Sequence, residues 1–153
     1  MIALNAQEWK VTTDMVMGGL STLSVRKEKE GLRLYGSLSH RNNGGFVSAK
    51  MLDGSIVYPH NAVGVQVSWQ GDGRCYRLIL HEYGRKVREY FECPLSEQTK
   101  TLLWSDFTHR YRTLSDSERR LNPEKLMSIG ILLSKTYSGT VDFYLEKVEW
   151  VFK

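Results

Sequence analysis

The chain has 153 residues, 41% hydrophobic and 25% charged, with three prolines; this excludes a disordered or fibrous polymer and fits one domain, residues 1–153, able to bury roughly two thirds of its unfolded surface. Its net charge of +4 comes from scattered, partly self-compensating stretches such as "VRKEKE", which argues against a nucleic-acid tracker with its charge on one face. No apolar run approaches the ~18 residues of a membrane span, and "MIALNAQEWK" lacks the basic and apolar regions of an export signal, so the expectation is a cytoplasmic chain without a membrane span.

In chain order, the first feature is "DMVMGGLS", Asp14 to Ser21. A phosphate-cradling glycine loop needs a helix N-terminus behind it. Strand-like alternation follows instead, so the stretch reads as a turn in which Asp14 caps, Gly18 and Gly19 take unusual φ/ψ values, and Ser21 closes. "GLRLYGSL" then alternates Leu32, Leu34 and Leu38 with Arg33, Tyr35 and Ser37, a strand with one buried face. A second glycine pair stands in "NNGGF", Asn42 to Phe46.

"AVGVQVSW" places Val63, Val65, Val67 and Trp69 on one face, and "CYRLILHEY" places Tyr76, Leu78 and Leu80 on one. The glycine- and aspartate-rich "QGDGR" between them predicts a hairpin. "EYGRKVREYFECP" predicts a second hairpin, turning at Gly84, with Val87, Glu89, Phe91 and Cys93 on one face. "TKTLLWSDF" is a strand running into a loop. Residues 106–128 are polar and irregular, apart from a helical turn at "NPEKLM" with Asn122 as N-cap and Pro123 at its first position.

"SIGILLS" and "GTVDFYLEKVEWVF" are two long strands. In the second, Val141, Phe143 and Leu145 share one parity and Val148, Trp150 and Phe152 the other, so a bulge or bend is required. About eight strands without a long helix predict an all-β antiparallel sandwich or jelly roll. The two cysteines, Cys75 and Cys93, are expected to be reduced core or half-buried thiols.

The four histidines, His40, His60, His81 and His109, occur singly, without a paired metal-ligand spacing. There is no G-x-S-x-G elbow, and the carboxylates form no readable acid–base pair. No catalytic residue, metal or cofactor is therefore expected. The polar positions opposite the core, Phe46, Ser48 and Lys50, then Gln66 and Ser68, Arg77 and His81, Arg88 and Tyr90, Asp142 and Tyr144, offer a candidate binding face if their strands are neighbours.

The order "W-x-x-x-x-D-x-V-M-G-G-x-S", "NNGGF", "GDGRCYRLIL", "WSDF", "IGILLS" and "G-T-V-D-F-Y-L-E-K-V", from Trp9 to about Val148, resembles the complex I intermediate-associated protein 30 domain family. The resemblance implies a galactose-binding-like β-sandwich similar to carbohydrate-binding modules, no established catalysis, and a role as an assembly factor for respiratory NADH:ubiquinone oxidoreductase. Its characteristic positions are Asp14, Met17, Gly18, Gly19 and Ser21, then Asn42, Asn43, Gly44, Gly45 and Phe46, with Arg74 and Tyr76. "FTHRYRT" departs from the family at Arg112 and Thr113, and the near absence of residues before the first motif suggests a short bacterial member.

Three functions follow as expectations. The first is a non-enzymatic binding or assembly protein with a protein partner such as a respiratory-complex subunit. The second is a carbohydrate- or small-ligand-binding module using Lys50, Gln66, Arg74, Arg77, Tyr90 and Tyr144. The third, an enzyme on a small metabolite, rests only on the glycine turns. The two glycine turns are expected to lie side by side.

Overall fold

A computed structural model of the chain describes residues 1–86, 88–96, 99–111, 114–116 and 118–153, with 99 and 100 through their backbone alone. The expected face position of Val87 and the departure at Arg112 and Thr113 lie outside these residues. Among the described residues there are twelve strands, five short 3-10 turns and no α-helix.

Strands β1 (Trp9–Thr13), β4 (Phe46–Met51), β11 (Leu126–Ser134), β6 (Arg77–Glu82), β7 (Glu89–Pro94), β9 (Thr108–Tyr111) and β10 (Leu114–Ser115) form a seven-stranded sheet in that order. The second sheet has five strands, in the order β2 (Thr22–Glu28), β3 (Gly31–Leu38), β12 (Gly139–Phe152), β5 (Ala62–Gln70) and β8 (Thr99–Leu103). Neighbouring strands are antiparallel throughout, so the chain is an antiparallel β-sandwich.

Period-two patterning builds the core between the sheets. Leu32, Leu34 and Leu38 of β3, Val65 and Val67 of β5, and Val141, Phe143 and Leu145 of β12 face Val47, Ala49 and Met51 of β4, Leu78 and Leu80 of β6, Phe91 of β7, and Ile129, Ile131 and Leu133 of β11. The register of β12 against β5 slips between Leu145 and Lys147, and Val148 takes over the core side. That slip is the bulge that the change of parity demands.

The expected hairpin from "AVGVQVSW" to "CYRLILHEY" does not form. β5 pairs with β12 and β8, whereas β6 pairs with β11 and β7 in the other sheet. The reason is the Asp72 carboxylate, which accepts from Arg74 Nη1 (3.0 Å), Tyr76 Oη (3.0 Å) and the backbone N–H of Asp142 (2.9 Å). The loop is thereby tied to β12 and the chain crosses between layers. Alternation reports which face of a strand is buried, not which strand lies beside it.

The second hairpin does form, between β6 and β7, with Gly84 at φ +80°. The 106–128 stretch is less irregular than expected, because β9 pairs with β7 at the sheet's edge and β10 with β9. The Pro123–Lys125 turn has its expected cap, Asn122 Oδ1 accepting from the Glu124 N–H at 3.1 Å. Cys93 is buried, but Cys75 is exposed, its side chain turned opposite to Tyr76 and Leu78.

Phe143 anchors the core at this crossing, its ring 4.4 Å from Tyr76 and stacked at 5.6 Å on Trp69. Phe143→Ala removes a wholly buried ring from both contacts. It is expected to cost about 3–5 kcal/mol, read from the midpoint of urea denaturation at unchanged slope.

Candidate functional site

The two glycine motifs meet on one side chain. Asp14 begins a 3-10 turn, Asp14–Met17, and its carboxylate is completely buried. One oxygen accepts from the Ser21 N–H at 2.9 Å. The other accepts from Ser21 Oγ and the Gly45 N–H, both at 2.5 Å, and from the Phe46 N–H at 3.3 Å. Burial alone would raise the pKa of Asp14, but these four bonds to the ionised form outweigh it and hold the carboxyl below its usual range.

Each glycine has a separate task here. Gly18 is left-handed, at φ +86°, with open space where a side chain would stand. Gly19 was expected to share that unusual geometry, but its requirement is one of contact, since a Cβ would lie 2.5 Å from Asp14 Cγ. A Cβ on Gly44 would lie 2.6 Å from Asp14 Oδ2. Asn42 and Asn43 take left-handed angles themselves, at φ +56° and +61°. The Asn42 side-chain amide donates to the Gly18 carbonyl at 3.0 Å.

This tight base carries an apolar knuckle. Met15, Val16, Met17 and Leu20 are 62%, 69%, 61% and 51% exposed. The turn beneath them is fixed by Met15 N–H to Thr13 Oγ1 (3.2 Å), Gly18 N–H to the Met15 carbonyl (3.1 Å) and Gly19 N–H to the Asp14 carbonyl (2.8 Å).

The candidate binding face is divided between the sheets. Lys50, Arg77 and Tyr90 lie together on the outer face of the seven-stranded sheet, whose rows run Ser128–His81, Lys50–Gly130–Ile79–Glu92 and Ser48–Leu132–Arg77. The rings of His81 and Tyr90 are 6.1 Å apart. Arg77 and Arg110 clasp Glu92 at 2.9 and 2.8 Å, and Lys50 pairs with Asp53 at 3.1 Å. Burial pushes the His81 imidazole down to about 4, Lys50 adding to the effect and Asp53 opposing it.

Gln66 and Tyr144 belong to the other sheet, on β5 and β12. Tyr144 donates to the Glu28 carbonyl at 3.0 Å beneath the Arg33 guanidinium. Arg74 is buried in the loop before β6, bonded to Asp72 and lying 4.1 Å from the centre of the Tyr137 ring.

One pairing escaped the sequence altogether. His109 Nε2 and Glu89 Oε2 stand 2.6 Å apart, 20 residues distant in the chain, beside an open cleft of about 540 Å3. Arg85 and Arg119 approach the same oxygen at 3.6 and 3.9 Å, while His109 Nδ1 has no hydrogen-bond partner among the described residues. The same cleft is lined by Tyr111 and Ser115. Among the described residues no group of three His, Cys, Asp or Glu side chains is placed to hold a metal, and no helix is long and apolar enough to cross a membrane.

Residues 3–146 match the family described as complex I intermediate-associated protein 30. No curated protein matches the chain. Among solved structures, it is similar to the family 11 carbohydrate-binding module from Clostridium thermocellum in complex with a beta-1,3-1,4-mixed-linked tetrasaccharide, at 15% identity and TM-score 0.68, over 94% of this chain and 88% of that one. It is similar too to the family 11 module of the cellulosomal cellulase Lic26A-Cel5E of Clostridium thermocellum, at 14% identity and TM-score 0.68, over 95% and 88%. At these identities the likeness is one of fold.

Two outcomes follow from this geometry. Gly19→Ala must displace the Asp14 carboxylate, whereas Gly18→Ala pays only for its backbone angle, about 1 kcal/mol; Gly19→Ala is expected to lower the melting temperature further. His81 stays neutral when folded, so between pH 6.5 and about 4 the unfolded chain takes up a proton that the folded chain refuses. Its contribution is complete above pH 6.5, falls as pH drops, and is spent below about 4. In His81→Gln the stability–pH profile should be shallower across that window, by at most about 1.4 kcal/mol per pH unit.

Proposed function

The chain belongs to the complex I intermediate-associated protein 30 family, and on that premise we propose that it is a non-catalytic binding protein that holds a protein partner during assembly of a larger complex, with respiratory NADH:ubiquinone oxidoreductase as the first candidate. The observation that carries the reading is the knuckle. Four large apolar side chains within six residues are left in water on a turn locked by a buried carboxylate. Contiguous exposed apolar surface marks interaction sites, and a rigid presentation lowers the entropy lost on binding. Methionine adds a side chain that adapts to an irregular groove.

A second reading, binding of a carbohydrate or small ligand, has an observation of its own. Lys50, Arg77 and Tyr90 share the outer face of the seven-stranded sheet with two buried polar atoms, His81 Nδ1 and Ser128 Oγ, that have no hydrogen-bond partner among the described residues. The fold likeness to modules solved with an oligosaccharide supports it in kind.

The knuckle is tested by complementing a deletion strain with the wild type or with the Met15→Ser, Val16→Ser, Met17→Ser triple variant. Since the substituted side chains are exposed, the melting temperature should move by no more than a few degrees. Assembled complex I on native gels should fall to the deletion level. Full complementation by the triple variant, or a deletion that leaves complex I unchanged, would overturn the reading.

A further inference from the structure

The cleft beside Glu89 and His109 stands at the β10 edge of the seven-stranded sheet, opposite the β1 edge from which the knuckle springs. Two segments wall it. Arg85 and Lys86 come from the connection between β6 and β7, while Leu114, Asp116 and Arg119 come from β10 and the turn after it, closed by the Arg119 N–H on the Asp116 carbonyl at 3.1 Å. Its volume of about 540 Å3 falls in the range of clefts that hold small molecules, about 300–1,000 Å3.

Three cations converge here with donors left unused. Arg85 gives its Nε to Glu82 Oε1 at 2.8 Å, but its Nη1 stands 3.6 Å from Glu89 Oε2. Arg119 approaches Glu89 at 3.9 Å and Asp116 at 3.4 Å, both longer than a direct hydrogen bond. The Lys86 ammonium lies 4.8 Å from the centre of the Tyr111 ring and has no ion pair among the described residues. All three can be touched from solvent: the Arg85 side chain is 25% exposed, that of Arg119 48%, and Lys86 is exposed. The carboxylates that line the cleft do not cancel this charge. Glu89 is buried and already met by His109 Nε2 at 2.6 Å and the Lys86 N–H at 3.3 Å, so it serves as a strut beneath the two arginines. Asp116 is half exposed and turns one oxygen to the Glu118 N–H at 3.0 Å.

We propose that this cleft binds a small organic oxyanion, its phosphate or carboxylate group held by Arg85, Lys86 and Arg119 and its apolar body resting against Leu114. A guanidinium presents a fork of donors that matches two oxygens of such a group at once, and an ammonium adds a mobile point charge. Leu114, left 67% exposed in the wall of the cleft, supplies the apolar contact. The site stands apart from the knuckle and from the polar sheet face, and depends on neither reading of function given above.

The test is calorimetry with the full chain at constant ionic strength, using phenyl phosphate, benzoate and inorganic phosphate as probes and phenol as the neutral control. At least one of the two ring-bearing anions should bind and phenol should not; which of the two binds more tightly separates a phosphate ligand from a carboxylate one. Arg119→Ala and Lys86→Ala should each weaken that binding about tenfold or more, with the melting temperature unchanged because both side chains are exposed and make no direct hydrogen bond. Leu114→Ser should weaken the ring-bearing anions more than inorganic phosphate. Lys27→Ala, which removes an exposed cation from β2 in the other sheet, should change nothing. Failure of both ring-bearing anions to bind overturns the proposal, as does equal binding of phenol, binding indifferent to Arg119 and Lys86, or a loss as large in Lys27→Ala, which would reduce the effect to net charge.

Discussion

Much of this sandwich depends on one carboxylate taken out of water. Asp14 is wholly buried and is held ionised because two backbone stretches, at Ser21 and at Gly45–Phe46, turn their N–H groups toward it. A buried charge is tolerated only when its lone pairs are met, and four donors here meet two oxygens. The clasp fixes the entry to β2 and the entry to β4, one strand from each sheet. It therefore sets how the layers meet at that edge, and it explains why both loops need small residues, since neither Gly19 nor Gly44 has room for a Cβ beside the carboxylate.

Asp72 repeats the device at another crossing, joining the loop after β5 to β12 through the Asp142 N–H and to the core through the Tyr76 hydroxyl. Burial, first, and the neighbouring Asp72 charge, second, push the Tyr76 phenol up, so it remains a donor. Arg74 completes that clamp. The "GDGRCY" segment is thus architecture, and the position that looks like a surface arginine in the sequence is spent on holding loops together.

The strand faces were legible because each depends on alternation within a few residues: Leu32, Leu34 and Leu38 are buried, as are Tyr76, Leu78 and Leu80. The parity change in β12 revealed its bulge for the same reason. The sheet to which a strand belongs was not legible, since a short glycine turn serves a hairpin and a crossing between layers alike, and only the bonds of Asp72 decide between them. The same limit divided the binding face: Lys50, Arg77 and Tyr90 came together, while Gln66 and Tyr144 stand on the other layer with the same outward parity. Ser128 was hidden at the edge of a polar stretch, because its orientation is set by the adjacent bulge in β11. The Glu89–His109 contact was hidden because nothing local to either residue points to the other.

Strand β4 links the knuckle to the polar outer face of the seven-stranded sheet. Its first residue, Phe46, is held by Asp14 beneath the knuckle, and its fifth, Lys50, pairs with Asp53 on the polar outer face of the seven-stranded sheet. Four residues of extended chain span about 13 Å. A partner of ordinary size covers about 800 Å2 of one protein, a disc roughly 16 Å in radius. A protein seated centrally on Met15, Val16 and Met17 would therefore extend over the near edge of the polar face. The two surfaces would then not be independent, since a partner in place would change access to Lys50 and its neighbours without any movement of the sandwich between them.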